Sequence, residues 1–168
     1  MGRVLWINGA FGAGKTSVAR TLRRRIPRSV LLDPERIGFV VQRLPGRRRA
    51  DFQLSPLWRR STVVAIRVAA SLADAVIVPM TIVEDDVLDD VIGGLRRSGV
   101  DVRMVALVVA PDELRSRLRA RGSQGGWGEA QIERCVRALG RPAFGVPVAA
   151  DGRPVPAVAE AVLTAAGA

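Results

Sequence analysis

The stretch V-L-W-I-N-G-A-F-G-A-G-K-T, residues 4–16, carries most of the information about architecture. Val4 to Ile7 is a short apolar run entering a glycine-rich turn at Asn8-Gly9, the pattern of a buried strand. Residues 16–25 follow with Val18, Ala19 and Leu22 at helical spacing, and Pro27 ends them. Between strand and helix, Gly9 to Thr16 matches G-x-x-x-x-G-K-[ST]. The chemistry needs those residues there. A loop of Gly9, Ala10, Phe11, Gly12, Ala13 and Gly14 lets backbone N–H groups wrap a β-phosphate, and the helix opening at Lys15, Thr16 and Ser17 presents its positive end. Lys15 places a compact charge on the β- and γ-phosphates, while the Thr16 hydroxyl can ligate Mg²⁺. A nucleoside triphosphate site is expected.

Outward from this block the pattern repeats strand and helix. Apolar runs at 29–33, 74–79, 102–109 and 146–149 read as strands. Helical patterns occupy 60–73, 83–98, 111–121, 129–139 and 155–166. The 83–98 segment begins with Glu84, Asp85 and Asp86, ends with Arg96 and Arg97, and stops at Gly99, a polarity that suits the helix dipole. Residues 36–60 form a polar, proline-interrupted stretch around R-L-P-G-R-R-R (43–49) that is expected to be mobile in part, and 122–128 a flexible loop. Strands apolar throughout, alternating with helices, predict one α/β domain over residues 1–168 with a parallel sheet covered on both faces.

Composition excludes much. The 168 residues hold 25 arginines, one lysine (Lys15), one cysteine, no histidine and no tyrosine. Without histidine there is no Ser-His-Asp or Cys-His unit and no His-ligated metal. One cysteine allows no internal disulfide framework and no Cys-rich metal site. No second lysine is left for a guanine-reading N-K-x-D motif. The N-terminal apolar run is too short for a secretory signal, no segment approaches the length of a membrane span, and a cytoplasmic protein is expected. The net charge of +10 suggests phosphate-rich partners, but the arginines are scattered with no aromatic interleaving, so most of the excess reads as composition.

Four further groups are candidates. Leu114-Arg-Ser-Arg117-Leu118-Arg-Ala-Arg121 fits the L-x-x-R-L-x-x-R pattern of small-molecule kinases, in a helix feeding a glycine-rich lid, and could equally be a solvated arginine face. By that likeness Arg117 lies near the base and Arg121 stabilises the transferring phosphoryl charge. Asp33 ends the second strand, at the edge where parallel sheets gather ligands, and can accept the proton of an attacking hydroxyl. Its competing role is the N-cap of a helix opening at Pro34-Glu35. Asp51, Phe52, Gln53, Trp58 and Arg59 together suit an acceptor pocket, or a loop anchored by two aromatics. Pro79-Met80-Thr81 ends the third strand without the acidic residue that motor-type NTPases carry there, which favours a small kinase.

Several blocks then agree with one family. W-I-N-G-A-F-G-A-G-K-T (6–16), D-P-E-x-x-G (33–38), D-F-Q-x-x-P-x-W-R (51–59), V-P-M-T (78–81) and the arginine-rich helix with its Trp127 loop resemble the tunicamycin-resistance P-loop proteins, relatives of chloramphenicol phosphotransferase and shikimate kinase. The resemblance implies a P-loop kinase fold with five parallel strands in the order 2-3-1-4-5 and a mobile lid. It also implies ATP and Mg²⁺ as cofactors and a nucleoside antibiotic as the small-molecule partner. Gly9, Gly12, Gly14, Lys15 and Thr16 would bind ATP; Asp33, Arg36, Asp51, Phe52, Gln53, Trp58, Arg59, Met80 and Thr81 would face the acceptor. The leading expectation is a phosphotransferase acting on an acceptor hydroxyl, with Asp33 as base and Lys15, Arg117 and Arg121 stabilising charge. An ATP-loaded protein that sequesters the antibiotic without turnover is the alternative, and a nucleic-acid-end kinase is the least favoured reading.

Overall fold

The computed structural model describes residues 1–43, 51–123 and 125–167. Five strands form one sheet: β1 (Arg3–Gly9), β2 (Ser29–Leu31), β3 (Ala75–Pro79), β4 (Val102–Val108) and β5 (Val146–Ala149). Every pairing is parallel and the order is β2-β3-β1-β4-β5, as the resemblance implied. β1 sits at the centre, with Trp6 beside Val78 on one side and Met104 on the other. Its residues from Val4 to Gly9 are all buried, because helices cover both faces of a parallel sheet.

α1 (Lys15–Arg25) and α9 (Val155–Ala166) pack together on one face. α3 (Pro56–Leu72) and α8 (Ile132–Leu139) lie against the strands as well, with α2 (Pro34–Gln42) packed on α3 and α6 (Pro111–Ala120) on α8. Val18, Ala19 and Leu22, the residues read as a helical stripe, are the buried face of α1. β5 and α9 have the boundaries the sequence predicts. No helix among the described residues is long and apolar enough to cross a membrane.

Several expectations are corrected. The second strand stops at Leu31, two residues early, because Asp33 leaves the sheet to cap α2: its carboxylate accepts from the Glu35 amide at 3.0 Å. The helix opening at Pro34-Glu35, the competing role of Asp33, is present as Pro34–Gln42, so residues 36–42 of the stretch expected to be irregular are helical. α3 begins at Pro56 rather than at residue 60, so P-L-W-R is its first turn, and a 3₁₀ turn (Phe52–Leu54) precedes it. The helix expected over 83–98 is built as α4 (Asp85–Leu88), a π-helical turn (Asp89–Gly93) and α5 (Gly94–Arg97). The segment expected as 129–139 starts earlier with α7 (Trp127–Ala130) and breaks at Gln131 before α8. The mobility expected around residues 44–50 falls outside the described residues.

Candidate active site

The phosphate side is assembled by one loop, the first turn of the helix after it, and one helix packed on the loop. β1 delivers the chain into the loop, and α1 starts at Lys15 with Gly14 as its left-handed cap, φ 94°. Gly12, φ 87°, lets the loop turn where α6 presses on it: a Cβ there would stand 3.4 Å from the Leu114 carbonyl and the Leu118 side chain. The first intrahelical bond runs from the Val18 amide to the Gly14 carbonyl at 3.0 Å, so the amides of Lys15, Thr16 and Ser17 precede the helical ladder. Thr16 and Ser17 are exposed in that first turn. A loop turned by glycines, opening onto a helix N-terminus with an exposed hydroxyl, fits a nucleoside triphosphate, and Thr16 fits its Mg²⁺.

Lys15 folds back onto its own loop. Its ammonium donates to the carbonyls of Gly9 and Ala10, both at 2.9 Å, and stands 5.4 Å above the Phe11 ring centre. Burial lowers its pKa to about 8, and the charge of Arg121 adds to that. Glu35 above all, then Cys135 and Asp33, pull the other way. The end of β2 and the end of α6 thus act on one lysine. Glu35 in turn is pushed above the usual carboxylate range, by burial first and by Asp33 next, with Lys15 opposing. Burial also raises the Cys135 thiol, which sits inside α8.

α6 and α7, expected to feed a lid, pack on each other beside the loop. Arg117 donates through Nε to Glu113 at 2.9 Å and through a terminal nitrogen to the Ala150 carbonyl at 3.0 Å, which ties α6 to the loop after β5. Arg121 is exposed at the C-cap of α6. Trp127 meets Phe11 edge-on, with ring centres 5.0 Å apart, so α7 touches the loop of residues 9–14 through two aromatics. Ion pairs from Arg134 to Glu84 and from Arg141 to Asp85 attach α8 and the segment after it to the start of α4.

The acceptor candidates divide by burial. Asp33 is half-buried at the head of α2, and Arg36 is exposed on that helix. Asp51 caps the 3₁₀ turn, accepting from the Gln53 amide at 3.0 Å. Phe52 lies between Trp58, at 5.3 Å between ring centres, and Gly38, where a Cβ would approach the ring to 2.6 Å. Trp58 is fully buried and its indole N–H donates to the Pro34 carbonyl at 2.9 Å. The aromatic pair is therefore the anchor that fastens the 51–54 turn to α2. Arg59 donates to the Gln53 carbonyl at 2.7 Å and to Asp86 and Asp90 at 2.8 Å each. Burial works against its charge, but the bonds to Asp90 and Asp86 outweigh that and hold its pKa above the ordinary value. Its donors are committed to the scaffold.

Met80 and Thr81, expected to face the acceptor, are 1% and 3% exposed. Met80 fills the core, and its carbonyl accepts from the Trp6 indole at 3.0 Å. The Thr81 hydroxyl donates to the Gly9 carbonyl at 2.8 Å, and its own carbonyl accepts from the Gln53 side chain at 3.0 Å. Both residues point inward because the chain after β3 runs beneath the phosphate loop.

Two residues of the site are not among those the sequence singles out. Asn8 is fully buried. Its amide donates to the carbonyls of Ile82 (2.8 Å) and Phe144 (3.1 Å), and its oxygen accepts from the amides of Gly9 and Ile82. A lone amide inside an apolar run is the available signal, since such a group must find partners. Glu35 reads in the sequence only as part of a helix opening; in the folded chain its charge and that of Asp33 both act on Lys15.

A model of the AAA domain family matches residues 4–142. The tunicamycin resistance protein of Deinococcus radiodurans superposes with a TM-score of 0.82 at 29% identity, over 98% of this chain and 95% of that one. A gluconokinase from Sinorhizobium meliloti gives 0.64 at 18% identity, over 99% and 91%. A shikimate kinase from Bacteroides thetaiotaomicron gives 0.62 at 19%, over 96% and 97%. The last two carry the fold alone. A search of curated protein sequences finds no match.

Proposed function

From a chain that belongs to the AAA domain family, folded as a P-loop kinase, we infer an ATP- and Mg²⁺-dependent phosphotransferase acting on a hydroxyl of a small molecule, with a tunicamycin-like nucleoside antibiotic as the acceptor. The observation that carries the reading is the placement of Asp33 and Glu35, at the mouth of β2, within the field of Lys15. A carboxylate there can take a proton from a hydroxyl held next to the phosphate loop. Likeness to the tunicamycin resistance protein of Deinococcus radiodurans supports the antibiotic as the acceptor class.

ATP, when bound, supplies the transferable phosphoryl group, and Mg²⁺ held at Thr16 neutralises its charge. The chain contributes position and charge. The loop amides of Gly12 to Ser17 would cradle phosphate oxygens, and Lys15, which rests on the Gly9 and Ala10 carbonyls, would supply charge to them. Arg121 would add positive charge from the end of α6, and Arg117, held by the Ala150 carbonyl, would lie near the base. Asp33 keeps one carboxylate oxygen on the Glu35 amide, which fixes the other for the acceptor hydroxyl. The compartment that fits this chemistry is the cytoplasm, where ATP is abundant.

³¹P NMR of ATP, Mg²⁺ and tunicamycin-like acceptors tests the reading. A new phosphomonoester resonance that grows with the full chain and drops about 10²–10⁴-fold in rate with Asp33→Asn is the expected result. Normal ATP binding with no acceptor phosphate would replace transfer by sequestration.

A further inference from the structure

One hydrogen-bonded line crosses the molecule from the acceptor side to the phosphate side. The Gln53 side chain, in the turn anchored by Phe52 and Trp58, donates to the Thr81 carbonyl at 3.0 Å. Thr81 donates its hydroxyl to the Gly9 carbonyl at 2.8 Å. That same carbonyl receives the Lys15 ammonium at 2.9 Å. The two lone pairs of the Gly9 oxygen are thus shared between Thr81 and Lys15. Thr81 is 3% exposed, so its hydroxyl is shielded from water and the Gly9 carbonyl satisfies it.

We propose that Thr81 is a positioning residue that links the 51–54 turn to the phosphate-binding lysine, so that nucleotide affinity depends on a turn that touches no phosphate. The physical basis is competition at one oxygen. With Thr81 donating, the Gly9 carbonyl is fixed in direction and half-occupied, and Lys15 is held loosely enough to leave it for a phosphate. Without the hydroxyl, the carbonyl is free to turn and to bind Lys15 more fully, and the lysine is released at greater cost. Gln53 holds the Thr81 backbone in register, so loosening the turn reaches the same oxygen. The inference rests on the nucleotide site of the proposed function but not on phosphoryl transfer.

The test is equilibrium binding of a fluorescent ATP analogue with Mg²⁺ to the full chain and four variants. Thr81→Val, which keeps the shape and removes the hydroxyl, is expected to weaken binding about tenfold. Thr81→Ser, which restores the donor, should stay within about twofold of the unchanged protein. Gln53→Leu should weaken binding about threefold, and the double variant Gln53→Leu/Thr81→Val should be no weaker than Thr81→Val by more than about twofold, because both act on one oxygen. A merely structural threonine would not produce that lack of additivity together with rescue by serine. Equal binding by Thr81→Val, full additivity in the double variant, or unchanged binding by Gln53→Leu would overturn the link. Should Thr81→Val fail to fold, Gln53→Leu alone decides. Failure of the unchanged protein to bind the analogue would overturn the nucleotide site, and this inference with it; the other outcomes leave that site standing.

Discussion

The proposed phosphate side and the proposed acceptor side of this site are built by different means. The phosphate side is a local object: residues 9–17 form it with backbone groups, three glycines at positive φ and a lysine that rests on its own loop. The acceptor side is a tertiary object, brought together from the end of β2, the head of α2, the 3₁₀ turn at Phe52–Leu54, the start of α3 and the chain after β3. Its conspicuous side chains face inward. Trp58, Arg59, Met80 and Thr81 hold segments to one another, so the proposed acceptor contacts are Asp33, Glu35 and the exposed face of α2. A loop built of backbone is specified by a few consecutive residues, whereas an arrangement made by packing depends on several distant segments at once.

That contrast is open to experiment, beginning with the anchor. Trp58→Ala should cost about 3–5 kcal/mol of stability in urea denaturation, since it empties a buried site. Trp58→Phe, which mainly orphans the Pro34 carbonyl, should cost about 1–3 kcal/mol. If both leave the unfolding midpoint unchanged, the turn is held by something other than the aromatic pair.

On the phosphate side, Lys15→Met should lower the transfer rate about 10²–10³-fold with the fold intact. The sign of its stability effect is a built-in control. The folded pKa of about 8 lies below the ordinary 10.5, so the unfolded chain binds more protons between those values and stability rises with pH across them. At pH 7 the buried ammonium is a cost, and the methionine variant should melt no lower than the unchanged protein; a fall in melting temperature there would show that the lysine stabilises the loop.

A third effect is smaller and couples the two sides. Loss of the Lys15 proton through pH 8 should weaken ATP binding about tenfold between pH 7 and 9. Arg121→Ala removes a charge that lowers this pKa and should move the midpoint up; Glu35→Gln removes one that raises it and should move the midpoint down. Midpoints that do not move in opposite directions would separate these residues from the lysine.

The smallest effect is at Arg59. The Arg59 side chain is 12% exposed but its partners Asp86 and Asp90 are 63% and 55% exposed, so Arg59→Lys, which keeps the charge and loses part of the fork, should cost about 1–2 kcal/mol by the unfolding midpoint. A loss of several kcal/mol would make the Gln53 carbonyl, rather than the carboxylates, its main partner.

The legibility of the two halves follows from the same physics. The β1 run, the glycine-lysine loop and the stripe of Val18, Ala19 and Leu22 are readable because spacing along the chain is spacing in space over one strand, one turn and one helix. The α2 helix is harder to read because its surroundings are rich in proline and arginine and look like a loop, although Asp33 and Pro34 are a sufficient opening. Asn8 passes for the end of a strand, and Glu35 for a helix-opening residue. Neither a fully satisfied buried amide nor a carboxylate's nearness to a lysine far along the chain is a property of local sequence.

The sequence alone is enough for the parallel α/β architecture, the phosphate loop and the identity of its lysine, because these rest on spacing within single elements and on the alternation of strand and helix along the chain. It takes the assembled sheet to turn Thr81 towards the Gly9 carbonyl, to commit Arg59 to the scaffold, and to bring Asp33 and Glu35 into one field with Lys15 and Arg121. Those are matters of which way a side chain turns once β3, β1 and β4 lie side by side. Burial and hydrogen-bond satisfaction settle that direction, and neither exists before the sheet is formed.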